Sequence, residues 1–138
     1  MGGGGNTLMT FGGNVISAMK GARISRIVSL VGASVFVPGD PSSMGMALLR
    51  GVTRLLAGDV VKDGARHARQ LEATDLAYTL VRPPRLTNAP ATGRVEHALA
   101  LPLSPLSSIA RAGLAAFMLR VAVEDLYVRA APMVTGAA

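Results

Sequence analysis

The chain has no cysteine and no tryptophan, two histidines, and an aromatic content of 4%. Without thiols neither a disulfide framework nor a thiolate metal site can form, and two scattered histidines are poor material for zinc, so no metal is expected. The scarcity of aromatics removes any stacking platform for bases. Nucleic acid is therefore not an expected partner despite a net charge of +6, because the arginines run from Arg23 to Arg129 without a dense cluster. They are read as a solvated surface. A long apolar run is also missing: the longest uncharged stretch, residues 1–19, is too rich in glycine and polar residues to span a bilayer. No charged segment precedes an apolar core at the start, so no membrane is expected and the cytoplasm is the expected address. A G-x-S-x-G elbow and paired catalytic carboxylates are absent too.

What is present suits one core. A chain of 138 residues that is 50% apolar is expected to form a single domain over residues 1–138, with the glycine run Met1–Gly5 flexible. That run has no strand before it and is not read as a phosphate loop. Leu8, Phe11, Val15, Ile16 and Met19 recur at helical spacing, which predicts a helix from Asn6, its cap, to Lys20, weakened by Gly12 and Gly13. The apolar run Arg26–Val31 predicts a strand buried on both faces. Residues 36–43 read as a loop, and Met44, Leu48, Val52 and Leu55 mark a helix that breaks near Gly58. A second helix is predicted from Asp59 to Ala73, with Asp63 spaced to meet His67 on an exposed face. Further on, a short strand is expected around Arg94–Leu99, a mostly covered helix from Ile109 to Val123 capped by Ser107 or Ser108, and an edge strand within Tyr127–Val134.

The organising stretch is Leu76–Leu86, LAYTLVRPPRL. Tyr78, Thr79, Leu80 and Val81 are strand formers, and neither Pro83 nor Pro84 can donate a ladder hydrogen bond, so pairing must stop near Arg82 and the loop after it is stiff. Arg82 is read as packing structurally. With a helix just upstream, the order is that of a parallel crossover, and ligands of open α/β sheets sit at the carboxyl ends of such strands. Gly32 and the double-proline turn are thus expected on one rim of one sheet.

The segments Ser25–Ala33 (SRIVSLVGA), Asp75–Thr87 (DLAYTLVRPPRLT), Thr92-Gly93 and Ile109–Leu119 (IARAGLAAFML) resemble, in order and spacing, successive parts of the NAD(P)H-binding atypical short-chain reductases, a group that includes the NmrA-like proteins and the biliverdin/flavin reductases. The resemblance implies an α/β fold, a partial Rossmann-like parallel sheet flanked by helices, corresponding to the C-terminal portion of the family and missing the first strands with their glycine-rich half. It implies NADP or NAD as cofactor, held at Leu30, Val31, Gly32, Pro83, Pro84, Arg85 and Leu86, with Arg85 the side chain suited to an anion. It assigns no catalytic residue. The serine or threonine that the family often has near Gly32 is absent, Ser29 comes too early and points into the sheet, and Gly64 and Gly113 stand where a Lys or His and an Asp are common. His97 receives no role.

The activity implied is reduction of a flavin, tetrapyrrole or similar conjugated small molecule. The alternative is a shortened, non-catalytic small-molecule-binding or dimerisation module without cofactor, and a third reading puts the true start upstream. The first parallel strand would leave one edge unpaired, so a homodimer is expected.

Overall fold

The computed structural model describes residues 6–37, 40 and 44–137. The glycine run 1–5 and most of the predicted loop 36–43 lie outside the described residues. The elements in order are α1 (Thr7–Ala22), β1 (Arg26–Leu30), α2 (Met44–Glu72), β2 (Ala77–Val81), β3 (Arg85–Thr87), β4 (Val95–Ala98), β5 (Ser108–Ala110), α3 (Arg111–Val123) and β6 (Met133–Gly136). No helix among the described residues is long and apolar enough to cross a membrane.

The two apolar runs pair in parallel, Ile27 opposite Tyr78 and Ser29 opposite Leu80. β2 is central, because residues 129–134 run along its other side: Leu80 N–H donates to Ala130 O at 3.0 Å and Arg82 N–H to Pro132 O at 2.9 Å. The far edge of β1 has no strand partner among the described residues. Ala77 N–H donates to Ser25 O and Val31 N–H to Val81 O, so alternation turns the backbone groups of Val28 and Leu30 toward that open edge. One face of the sheet buries Val31 and Leu80 under Ile16, Met19 and Leu71 of α1 and α2. The other buries Val81 against Leu114, Phe117 and Val121 of α3.

Parallel pairing of β3 with β5 and antiparallel pairing of β4 with β6 complete the strands. The last helix starts later than the sequence suggests. Residues 108–110 are spent on pairing with β3, and the Ser107 hydroxyl accepts from Ser104 N–H at 3.0 Å, so neither serine caps α3. Nor is α3 mostly covered: Leu114, Phe117 and Val121 form one buried stripe while Leu119 and Val123 stay exposed. The expected edge strand is shortened at its start, where Asp125, Tyr127 and Arg129 take left-handed φ values of 50, 54 and 56°. The predicted break in α2 falls at Ala57, whose φ of -147° is non-helical.

The α1–α2 contact overturns the reading of residues 63–67 as a solvated face. Asp63 and His67 are both buried, His67 to 2% exposure. Asp63 takes the capping role assigned to Asn6: its carboxylate accepts from Leu8 N–H at 2.7 Å and Met9 N–H at 3.1 Å, satisfying orphan donors and placing negative charge at the positive end of α1. Gly12 and Gly13 are the condition for this docking, since a Cβ on Gly12 would sit 2.4 Å from His67 Nδ1. His67 Nε2 in turn bonds Ser29 Oγ at 2.8 Å.

Two arginines fasten the sheet. Arg26, the first residue of β1, donates to Thr79 Oγ1 at 2.9 Å and to the carbonyls of Val121 at 2.9 Å and Leu126 at 3.1 Å, closing the C-terminal end of α3. Arg82, fully buried at the end of β2, engages Asp40 through two bonds of 2.7 Å. Its remaining N–H groups go to the carbonyls of Ala131 (2.9 Å), Val35 (3.1 Å) and Leu99 (3.4 Å). All five guanidinium donors thus find acceptors, the condition under which a buried charge is tolerated.

Three outcomes are expected in urea unfolding. Asp40→Asn leaves Arg82 charged without its counter-ion and should cost about 3–5 kcal/mol. Gly12→Ala should cost about 1–3 kcal/mol by overpacking the His67 ring, even though alanine is the better helix former by about 1 kcal/mol. Burial pushes the His67 pKa below its ordinary 6.5, against smaller upward pulls from the Gln70 hydrogen bond and the Asp63 charge. Below that ordinary value the unfolded chain binds a proton that folded His67 refuses, so stability should fall as pH drops from 6.5 through the lowered folded value. His67→Gln should flatten part of that slope.

Candidate functional site

The rim is built by the ends of β1 and β2. Pairing continues one step past the strands, with Ala33 N–H donating to Pro83 O at 2.9 Å, and stops there because the prolines offer no N–H. A turn closed by Val35 N–H to Gly32 O at 3.0 Å then folds residues 32–35 back over the strand end. Between this turn and the Pro83–Pro84 pair lies a cleft of about 280 Å³, lined also by Ala33, Ser34, Val52, Arg85 and Pro105. Gly32 keeps the floor open: a Cβ there would meet only Ser34 Oγ, at 3.6 Å.

Of the seven residues singled out in the sequence, Gly32, Pro83, Pro84 and Arg85 line this cleft. Leu30 and Leu86 pack beneath it against the α3 core, and Val31 is buried in the α1–α2 core. The two neighbouring arginines are used differently. Arg82 is enclosed and fully paired, as above, whereas Arg85 is exposed and makes no hydrogen bond or ion pair among the described residues. Asp40 carries Arg82 on one side and accepts from Arg50 at 3.3 Å on the other, so the segment after β1 is clamped to the residue that precedes the proline pair.

Sequence reasoning missed Ser34. The sequence reading places no hydroxyl near Gly32 and sets Ser29 aside as too early in the strand. The 32–35 turn brings the hydroxyl of Ser34 back to the cleft. A small Gly-Ala-Ser step just past an apolar run was the available signal. Gly64 is also explained: a Cβ there would come within 3.0 Å of Val35 Cγ2, so α2 rests directly on the turn and has no room for a longer side chain.

The histidines are occupied elsewhere. Ser29, His67 and Asp63 look like a nucleophile relay in composition, but Asp63 is spent on the α1 amides and the Ser29–His67 pair lies beneath α1, on neither strand-end cleft. His97 Nε2 faces Arg120 at 2.8 Å and so must accept, which places the proton on Nδ1 for donation to Tyr127 Oη at 2.7 Å. Burial, then the Arg120 charge, hold His97 below its ordinary pKa, so it stays a neutral bridge between α3 and the turn at Tyr127. Among the described residues no group of three or more histidine or acidic side chains could hold a metal ion.

The geometry agrees with what the chain is similar to. Its fold matches a short-chain dehydrogenase/reductase from Veillonella parvula, solved in complex with NADP, at a TM-score of 0.70 and 16% identity, over 94% of this chain and 58% of that one. It matches the oxidoreductase ylbE from Lactococcus lactis at 0.65 and 19% identity, over 88% and 51%. ChuY from Escherichia coli, described as an anaerobillin reductase, matches at 0.67 and 18% identity, over 87% and 54%. The chain therefore spans little more than half the length of these structures. No curated protein matches it in sequence. Residues 1–125, nine-tenths of the sequence, match the NAD(P)H-binding family, and with a partial Rossmann-like sheet that ends in a Gly32–proline cleft, the chain belongs to that family.

Proposed function

We propose that the cleft at the ends of β1 and β2 takes the nicotinamide end of NADH or NADPH and that the protein acts as a reductase of a flat conjugated acceptor such as a flavin or tetrapyrrole. The observation that carries this reading is the convergence of Gly32, Pro83, Pro84 and an unpaired Arg85 on one cleft at the carboxyl rim of parallel strands. The fit is to the ring end of the cofactor. A floor without a side chain leaves space for a planar ring, the proline pair forms a rigid apolar wall, and Arg85 offers a free cation to a phosphate or a substrate carboxylate. The described residues hold no glycine-rich turn for the pyrophosphate, and the α1 N-terminus already carries Asp63. That part of the cofactor is assigned no residue here.

The nicotinamide would supply the hydride when bound. The chain's own contribution is positional: Gly32 and Pro84 would hold the ring, and Val52 and Pro105 would exclude water from it. Ser34 Oγ would donate a hydrogen bond to the acceptor heteroatom, whose proton would come from solvent. A cofactor-free dimerisation module is a second reading, favoured by the unpaired outer edge of β1.

Titration with NADPH, and with NADH beside it, separates the two readings. The expected result is saturable enhancement of nucleotide fluorescence with an upward shift in Tm, weakened roughly five- to tenfold in Arg85→Ala and abolished in Gly32→Val. Absence of any response at millimolar nucleotide overturns the cofactor reading for this chain.

A further inference from the structure

A second cleft, about 560 Å³ against 280 Å³ for the first, borders the β3–β5 ribbon. β3 runs from one cleft to the other. Arg85 and Pro105 line the rim cleft, while Thr87 and all of β5, from Ser108 opposite Arg85 to Ala110 opposite Thr87, line the second. The β4–β6 pair closes it, with Glu96 directly opposite Thr135. Val95 packs toward α3 and His97 stacks on Phe117 of that helix at 4.7 Å between ring centres. By strand alternation Glu96 projects to the other face, into the cleft. The floor is apolar, with Leu103 and Ile109 both buried, and Leu106 stands at the mouth with 87% of its surface exposed.

The polar groups around this floor divide into satisfied and free. Thr135 Oγ1 donates to Ser108 O at 3.2 Å, and Ser107 Oγ accepts from Ser104 N–H at 3.0 Å. Thr87 Oγ1, Ser108 Oγ and the Glu96 carboxylate have no hydrogen-bond or ion-pair partner among the described residues. In a chain of net charge +6 the residues lining this cleft include one acid and no base. Ala110, the N-cap of α3, also lines the cleft, so the positive pole of that helix abuts it, about half a charge against the full negative charge of Glu96.

We propose that this cleft is a binding site for an organic cation, a protonated amine carried on an apolar body. An ammonium group has three donors and no acceptor, which suits three free acceptor groups, one of them anionic, on Glu96, Thr87 and Ser108. The apolar body lies over Leu103, Ile109 and Leu106. The site is independent of the cofactor reading, since it uses none of the residues that line the rim.

The test is a titration of the isotopically labelled full chain with phenethylamine, followed by amide chemical shifts, with phenylacetate as the anionic counterpart of the same size. The expected result is saturable shifts confined to the amides around Thr87, Glu96, Leu106–Ser108 and Thr135 at millimolar amine, with none from phenylacetate. Glu96→Gln should weaken the amine roughly fivefold. Leu106→Ser should weaken it as well without touching the charge. Equal shifts from the anion, an unchanged affinity in Glu96→Gln, or shifts centred on the rim would each overturn the assignment.

Discussion

The guanidinium of Arg82 is the constraint on which the rest of the rim depends. A charge this deep is stable only with every donor matched. Its acceptors come from three separate segments: Val35 and Asp40 after β1, Leu99 after β4, and Ala131 before β6. One side chain therefore fixes the segment after β1, the approach to the double proline, the end of the β4 segment and the strand that follows α3. The Gly32–Pro84 cleft is formed between two of these tethered segments. Its shape is set by an ion pair that faces away from it.

Much of this architecture was legible because it follows from backbone chemistry. The apolar run Arg26–Val31 and the run ending at Arg82 could only be strands, although Arg26–Leu30 is half-buried rather than buried on both faces as expected, and two consecutive prolines could only end the pairing. Gly32 and Pro83 consequently arrive at the same level. The resemblance of SRIVSLVGA and DLAYTLVRPPRLT to NAD(P)H-binding reductases pointed to a family that the match over residues 1–125 establishes.

The features that escaped are those set by distant partners. Asp63 and His67 have the spacing of an exposed pair, and nothing local reveals that a glycine in another helix approaches the ring closely enough to bury both. Asn6 is a good cap by type and yields to a carboxylate 55 residues from the amide it caps. Ser108–Ala110 has the composition of a helix start and becomes a strand because β3 needs a partner. Ser34 lies two residues beyond Gly32, and the turn closed by Val35 N–H to Gly32 O brings it to the cleft. In each case local preference is outweighed by pairing or packing that becomes available only in the folded chain.

Arg26 couples the two ends of the chain in time as well as in space. Its bonds to Val121 O and Leu126 O span 95 and 100 residues of sequence, among the longest closures in a chain of this size. Such contacts form late, because the entropy of closing the loop must be met before they contribute. On a ribosome, which presents the chain from its amino end, β1 therefore emerges long before the carbonyls that hold its first residue in place. Until α3 has been synthesised and docked, Val28 and Leu30 lack the apolar face that covers them in the folded chain.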